Sequence, residues 1–186
     1  TVMDPFTFFA TFNRRITDDN RKAILGRLRD YFRATAPIPD DFDGIPLADN
    51  MQSWFFPWAQ ERKDDDISSL WVLARQGVEG GRQAVDSGIF DRCLRIRSVG
   101  ISKLTFGLFW MRPDAFLSMD GQSQGYLTRK GIQVPSTVDS WNVYQGIWDA
   151  TAAALGRRLV SVIPGIVLAS RTNAVPSARK RMSTRE

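Results

Sequence analysis

Two acidic groups and a lysine stand at a spacing that can hold a metal against a phosphate: Pro39-Asp40, then Glu61-Arg62-Lys63. In a metal-dependent nuclease site of this form, two carboxylates fix Mg²⁺ at the scissile phosphodiester and the lysine polarises the attacking water. That chemistry needs Asp40, Glu61 and Lys63 to meet at one edge of a sheet. Asp40 instead falls in the proline-punctuated stretch APIPDDFDGIP, and Glu61 to Asp66 is one hydrophilic run. An exposed loop leading into a helix explains both better.

Other reactive arrangements are excluded by residue type. The chain has no histidine and one cysteine, Cys93. Zinc sites of the usual kind, Ser-His-Asp triads, Cys-His dyads and disulfide frameworks therefore cannot be assembled within it. No Gly-Lys dipeptide occurs, so the phosphate-cradling Walker A loop is absent, and GxGxxG is missing. Gly77-Val78-Glu79-Gly80 fits a GxxG backbone clamp, but Glu79 would face the phosphates and a helix stop is the simpler reading. Asp114 with Asp120 carries no sign of shifted acidity. The remaining arrangement pairs aromatics with cations. Trp58 and Trp110 each stand where an apolar run meets loop chemistry, with Arg62 and Arg112 close behind.

The elements that must position these residues belong to an ordinary globular chain: 186 residues, 43% hydrophobic and 11% aromatic, predict one folded domain. No run of about 20 apolar residues and no basic-then-apolar start occur, which predicts a soluble, cytoplasmic protein. The net charge of +5 is unevenly placed. Residues 1–66 hold 9 basic and 12 acidic side chains, residues 67–170 hold 11 and 7, and the remaining 5 basic groups sit in the tail 171–186 with Glu186. The body, residues 1–170, is close to neutral, so a nucleic-acid face must come from local clustering. The tail reads as a flexible basic linker.

Local signals predict helices near 4–14, 18–34, 66–76 and 138–155. Asp4 caps the first, with Pro5 in its first turn and Phe8, Phe9 and Phe12 in the core. Thr17 opens the second, whose apolar stripe is Ile24, Leu25, Leu28, Tyr31 and Phe32, with Arg21, Arg27, Arg29 and Arg33 mostly outward. Ser53 to Phe56 reads as a short strand ending at Pro57. The helix from Asp66 buries Ile67, Leu70, Trp71 and Leu73 and is stopped by Gly77, Gly80 and Gly81. GISKLTFGLFWMRPDAFLSMD reads as a helix capped by Ser102, presenting Leu104, Leu108 and Met111 and ending before Pro113, with the strand-like alternation of Leu104, Phe106, Leu108 and Trp110 as the alternative. GQSQGYLTRKGI reads as loop. Thr137 opens the last helix, closed at Gly156, in which Trp141, Tyr144, Trp148 and Ala152 share a face. Leu159 to Leu168 is apolar but too short to span a bilayer. The fold class expected is α+β: a single helix-rich domain with a small sheet.

The succession DFDGIP, SWFFPW with Arg62 after it, ISSLWVL, KLTFGLFWMRPDAFLSMD and GYL resembles the region preceding the AAA+ GTPase module in McrB-type proteins of modification-dependent restriction. The likeness runs over roughly residues 5 to 155. It implies a bacterial-defence domain, lacking its own cofactor and catalysis, that recognises DNA ahead of a C-terminal motor, with a separate nuclease subunit. Reading a modified base means flipping it out, which costs a few kcal/mol recovered by stacking and edge hydrogen bonds. The residues nominated are Trp58 and Trp110 for stacking, Asp120 for the base edge, and Arg62, Arg112, Arg129 and Lys130 for phosphates. The alternatives are a protein-interaction adaptor of the same kind of assembly and, third, a PD-(D/E)xK-like nuclease.

Overall fold

The computed structural model describes residues 3–155. The stop at Gly156, the apolar stretch from Leu159 to Leu168 and the basic tail lie outside the described residues. Seven α-helices follow in order: α1 Pro5–Ala10, α2 Asp18–Phe32, α3 Asp66–Gly80, α4 Ser87–Leu94, α5 Gly100–Met111, α6 Gly121–Arg129 and α7 Trp141–Leu155. The expected small sheet is not there. Among the described residues the only β-type pairing is an isolated parallel bridge between Arg14 and Ala48, so the fold is all-helical rather than α+β.

The missing strands have a physical reason. At Ser53 to Phe56 the backbone groups go to side chains: Thr7 Oγ1 accepts from Phe55 N at 2.8 Å, and Lys103 Nζ donates to Trp54 O at 2.7 Å. A second buried segment outside the helices, Phe116 to Met119, is treated the same way. Tyr144 Oη accepts from Leu117 N at 2.7 Å and donates to Leu117 O at 3.0 Å. Thr105 Oγ1 accepts from Met119 N, while Ser102 Oγ and Gln124 Nε2 donate to Met119 O. Buried backbone groups must be paired, and here side chains do what a neighbouring strand would.

The core gathers around α3, which packs against α1, α4 and α5. Phe6, Leu70, Leu73, Phe90, Leu104 and Leu108 are fully buried in it. Leu104, Thr105, Leu108 and Phe109 are buried while Phe106 and Trp110 are half-buried, a helical and not an alternating pattern, which settles this segment as helix. Phe90 of α4 stacks on Tyr144 of α7 at 5.6 Å, with Trp141 4.9 Å away. Asp91 of α4 accepts from Trp141 N at 2.6 Å and so caps α7 from another element.

Caps explain most boundaries. Asp4 accepts from Thr7 N at 2.9 Å and Thr17 from Asn20 N, as the sequence predicts. Ser102 is no cap: α5 starts after Val99, with Gly100 at φ 62. The loop reading of residues 120–131 is corrected too, since Asp120 Oδ1 accepts from Gln122 N and Ser123 N and starts α6 there. Gly77 lies inside α3, where an added Cβ would come within 3.3 Å of Leu108, and the helix turns out only at Gly81, φ 60. The GxxG segment is therefore helical and not a clamp loop.

Asp4 has a second consequence. It is fully buried and its Oδ2 has no hydrogen-bond partner. Burial raises its pKa, against the lowering effect of the Thr7 hydrogen bonds. The folded state thus holds this proton to higher pH than the unfolded chain, and stability falls as pH rises from about 3.8 through the raised value. Asp4→Asn keeps the acceptor without the charge. Its urea midpoint relative to the parent is expected to rise between pH 4 and pH 7; a difference constant with pH would show that Asp4 titrates as it does in the unfolded chain.

α2 is attached differently from the rest. Its single buried side chain is Arg21, expected outward. Arg21 Nε donates to Phe12 O and Nη2 to Asn13 Oδ1, both at 2.7 Å, and the guanidinium lies 3.8 Å from the Phe42 ring centre. The apolar stripe is half-buried at Ile24, Leu25 and Leu28, and only its end is open: Tyr31 is 81% and Phe32 62% exposed. Phe8 and Phe9, expected in the core, are half-buried beside Phe12, and Phe8 reaches Phe32 at 6.4 Å.

Candidate functional site

The nominated residues do not form one pocket. Trp110, at the end of α5, is half-buried, stacks on Phe106 at 5.9 Å and donates from Nε1 to Pro46 O at 2.8 Å. It pins the loop 36–46 to the core. Asp120 has both carboxylate oxygens engaged, Oδ1 by the backbone of α6 and Oδ2 by Ser118 Oγ and Ser123 Oγ. Arg112 forms a fork with Asp114 at 3.0 and 2.8 Å and donates to Val78 O, tying the end of α5 to α3. That hydrogen-bonded pairing holds the Asp114 carboxyl below the usual carboxylate range. Arg129 and Lys130 are exposed at the end of α6, with Lys130 near the Tyr126 ring.

Two nominated residues do face an open surface. Trp58 is 68% exposed and leans on Trp54, ring centres 5.6 Å apart. Arg62 is held over the Phe56 ring at 4.6 Å, with Nε donating to Pro57 O at 3.3 Å. Arg62 leads into a groove of about 760 Å³, whose wall is the outer face of α3. Lys63, Asp64, Ile67, Trp71 and Arg75 are among the other lining residues.

Trp71 is the correction that matters most. Helical spacing predicts it in the core; it is 45% exposed, with Nε1 donating to Met3 O at 3.0 Å. The buried face of α3 is Asp66, Ser69, Leu70, Leu73, Ala74 and Gly77, and the groove face is Ile67, Ser68, Trp71, Val72 and Arg75. Ile67, Trp71 and Arg75 repeat at a helical turn, so the spacing that placed Trp71 with Ile67 was right and only the direction was wrong. The signal available in the sequence was Arg75 in that register, since arginine is almost never fully buried without a partner.

Part of the cationic charge on the surface is already taken up in ion pairs. Arg82, Arg92, Arg97 and Arg112 are committed to Asp149, Asp65, Glu61 and Asp114. Among the described residues Arg62, Lys63 and Arg75 have no such carboxylate, and Asp64 is the one acid in the lining. Three cations beside a fixed indole can hold an anion with a flat group next to it.

The nuclease constellation does not assemble. Glu61 is paired with Arg97 at 2.5 Å, Asp40 is on an exposed loop, and the sheet edge this arrangement needs is absent among the described residues. No group of three His, Cys, Asp or Glu that could hold a metal occurs among them either. Cys93 is buried, and desolvation pushes its thiol up to about 12, which leaves it inert at neutral pH. No helix of the described residues is long and apolar enough to cross a membrane.

The fold and groove define a helical domain with one cationic, aromatic-walled surface. The chain belongs to the family described as a domain of unknown function, DUF8425, which it matches over residues 1–160. No curated protein and no solved structure matches it.

Proposed function

We propose that this domain binds DNA through the α3 groove, as the recognition part of a cytoplasmic modification-dependent restriction assembly in which a GTPase motor lies C-terminal to it and the nuclease is a separate subunit. The observation that carries this reading is the convergence of Arg62, Lys63 and Arg75, without carboxylate partners, on the exposed indole of Trp71. Residues 3–155 carry 18 basic and 19 acidic side chains, so attraction to phosphate has to come from local clustering, and this groove is one such cluster. Within the groove the cations take the backbone, and Trp71, with Trp58 at its edge, offers the flat surface for an unstacked base. Trp110, Asp120 and Arg112 serve instead by holding the loop, α6 and the α5–α3 junction.

Fluorescence anisotropy with duplexes that differ only in base modification tests this. Arg62→Glu with Arg75→Glu is expected to weaken binding at least tenfold and to flatten its salt dependence by about one unit of slope per lost contact. Trp71→Ala is expected to lower preference for the modified duplex more than overall affinity. Binding unchanged in both variants would sink the proposal. The adaptor reading draws on the exposed Tyr31 and Phe32. It requires association with protein that is indifferent to salt and to the groove substitutions.

A further inference from the structure

We propose that Asp64 makes the α3 groove selective for an unstacked guanine in DNA, by accepting from its N1–H and N2–H together. The inference rests on the DNA reading above and adds the base to it. Its basis is the division of roles among three successive aspartates at the start of α3. Asp65 pairs with Arg92. Asp66 is buried; its Oδ2 accepts from Lys63 N at 3.0 Å, while its own N donates to Lys63 O at 3.2 Å. Asp64 has no paired cation among the described residues, and it lines the groove as the one acid there.

Both sides of the arrangement are fixed. The reciprocal bonds between Lys63 and Asp66 close a turn around Asp64 and pin its backbone at the end of the groove. Trp71 follows seven residues later, about 10 Å along a helix axis, and helical side chains lean toward the N-terminus, which brings the indole back toward Asp64. Its Nε1 donates to Met3 O and so fixes the ring. A base lying on that indole turns an edge to Asp64, while Arg62, Lys63 and Arg75 remain for phosphates. A carboxylate repels phosphate and can only accept hydrogen bonds, so it favours an edge rich in donors. Guanine offers two adjacent donors on its Watson–Crick edge, N1–H and N2–H, to match the two carboxylate oxygens. Adenine and cytosine offer one amino group beside a ring-nitrogen acceptor, and thymine offers one N–H between two carbonyls. Each of those acceptors would meet the carboxylate lone pair to lone pair.

Fluorescence anisotropy of the full chain with single-stranded thymidine oligonucleotides carrying one central guanine, hypoxanthine, adenine or cytosine reads the preference, since a single strand spares the cost of flipping. The parent is expected to bind the guanine strand about tenfold tighter than the adenine, cytosine and all-thymine strands. Hypoxanthine, which lacks the 2-amino group, should lose most of that advantage. Asp64→Ala and Asp64→Asn should bring all the strands within about twofold of one another. Their circular dichroism should be unchanged, because Asp64 is exposed, and the all-thymine strand should bind them no more weakly than the parent. Equal binding of every strand by the parent, or a guanine preference that survives Asp64→Ala, overturns the proposal. If Arg62→Glu with Arg75→Glu still weakens that binding, the groove reading stands without it; a parent that binds neither strand nor duplex removes both. GMP that competes as well as the guanine strand would make a free nucleotide the ligand and overturn the assignment to DNA.

Discussion

Gly107→Ala is expected to destabilise the domain by about 2–3 kcal/mol, and Gly107→Val to leave it largely unfolded. A Cβ at Gly107 on α5 would lie 2.3 Å from Phe6 Cδ1, 2.7 Å from Cγ and 3.0 Å from Cβ. The obstacle is not a flexible tip: Phe6 is fully buried and packs on Phe55, ring centres 5.5 Å apart. Replacing a helical glycine by alanine normally gains about 1 kcal/mol, so the overlap has to outweigh that gain before any loss is seen. Gly26, in the middle of α2, has nothing within 4 Å of the corresponding position and serves as the control. Urea midpoints should fall for Gly107→Ala and rise slightly for Gly26→Ala. Adding Phe6→Leu to Gly107→Ala should cost less than the two separate losses combined, because both act on one contact. Equal midpoints for Gly107→Ala and the parent would mean that α1 can shift away from α5 freely.

Arg21→Ala is expected to cost about 3 kcal/mol locally, by releasing α2 rather than by unfolding the core. Two charge-assisted hydrogen bonds, to Phe12 O and Asn13 Oδ1, are lost together with the stack on Phe42. The partners are left buried without a donor, where the penalty is largest. Burial also lowers the Arg21 pKa against the attraction of Asp18, a sign that the guanidinium is held at a desolvation cost which its hydrogen bonds offset. Lysine should not rescue, since one ammonium cannot reproduce a planar fork that serves two acceptors and a ring. Amide exchange in α2 should become much faster while α3 and α5 stay protected. Unchanged protection of α2 would show that its apolar residues, not Arg21, hold it.

These residues also show how far the sequence reached. Signals acting within one turn were legible: Asp4 before Pro5, Thr17 before Asp18 and Asp19, and the buried repeat of Leu70 and Leu73 all form helices as their chemistry dictates. α6 was missed because Gly121 and Gly125 resemble turn residues, whereas the Asp120 side chain supplies the start that outweighs them. α4 lay in a stretch where no expectation was formed. The strand expected at 53–56 failed for a long-range reason, since Thr7 and Lys103 claim its backbone.

The candidate site follows the same division. Arg62 was nominated beside Trp58 and Lys63 noticed for another chemistry, and both line the α3 groove. Trp110, Arg112 and Asp120 have the types and spacing of a binding pocket, yet Pro46, Val78, Ser118 and Ser123 engage them. Two of those four partners, Pro46 O and Val78 O, are backbone groups brought within reach only by folding, and nothing in the identity of a tryptophan or arginine reveals whether such a group awaits it. Trp71 was assigned to the wrong side of a correct helix, because tryptophan serves a core and an open wall equally well.

The treatment of Phe116 to Met119 bears on behaviour outside the folded monomer. An extended segment normally offers a rim of free amides and carbonyls on which a further chain can template itself, the first step of ordered aggregation. Here Tyr144, Thr105, Ser102 and Gln124 occupy those groups at Leu117 and Met119 in the interior. While these four side chains hold their places, the backbone of Leu117 and Met119 has no free group to offer a second chain.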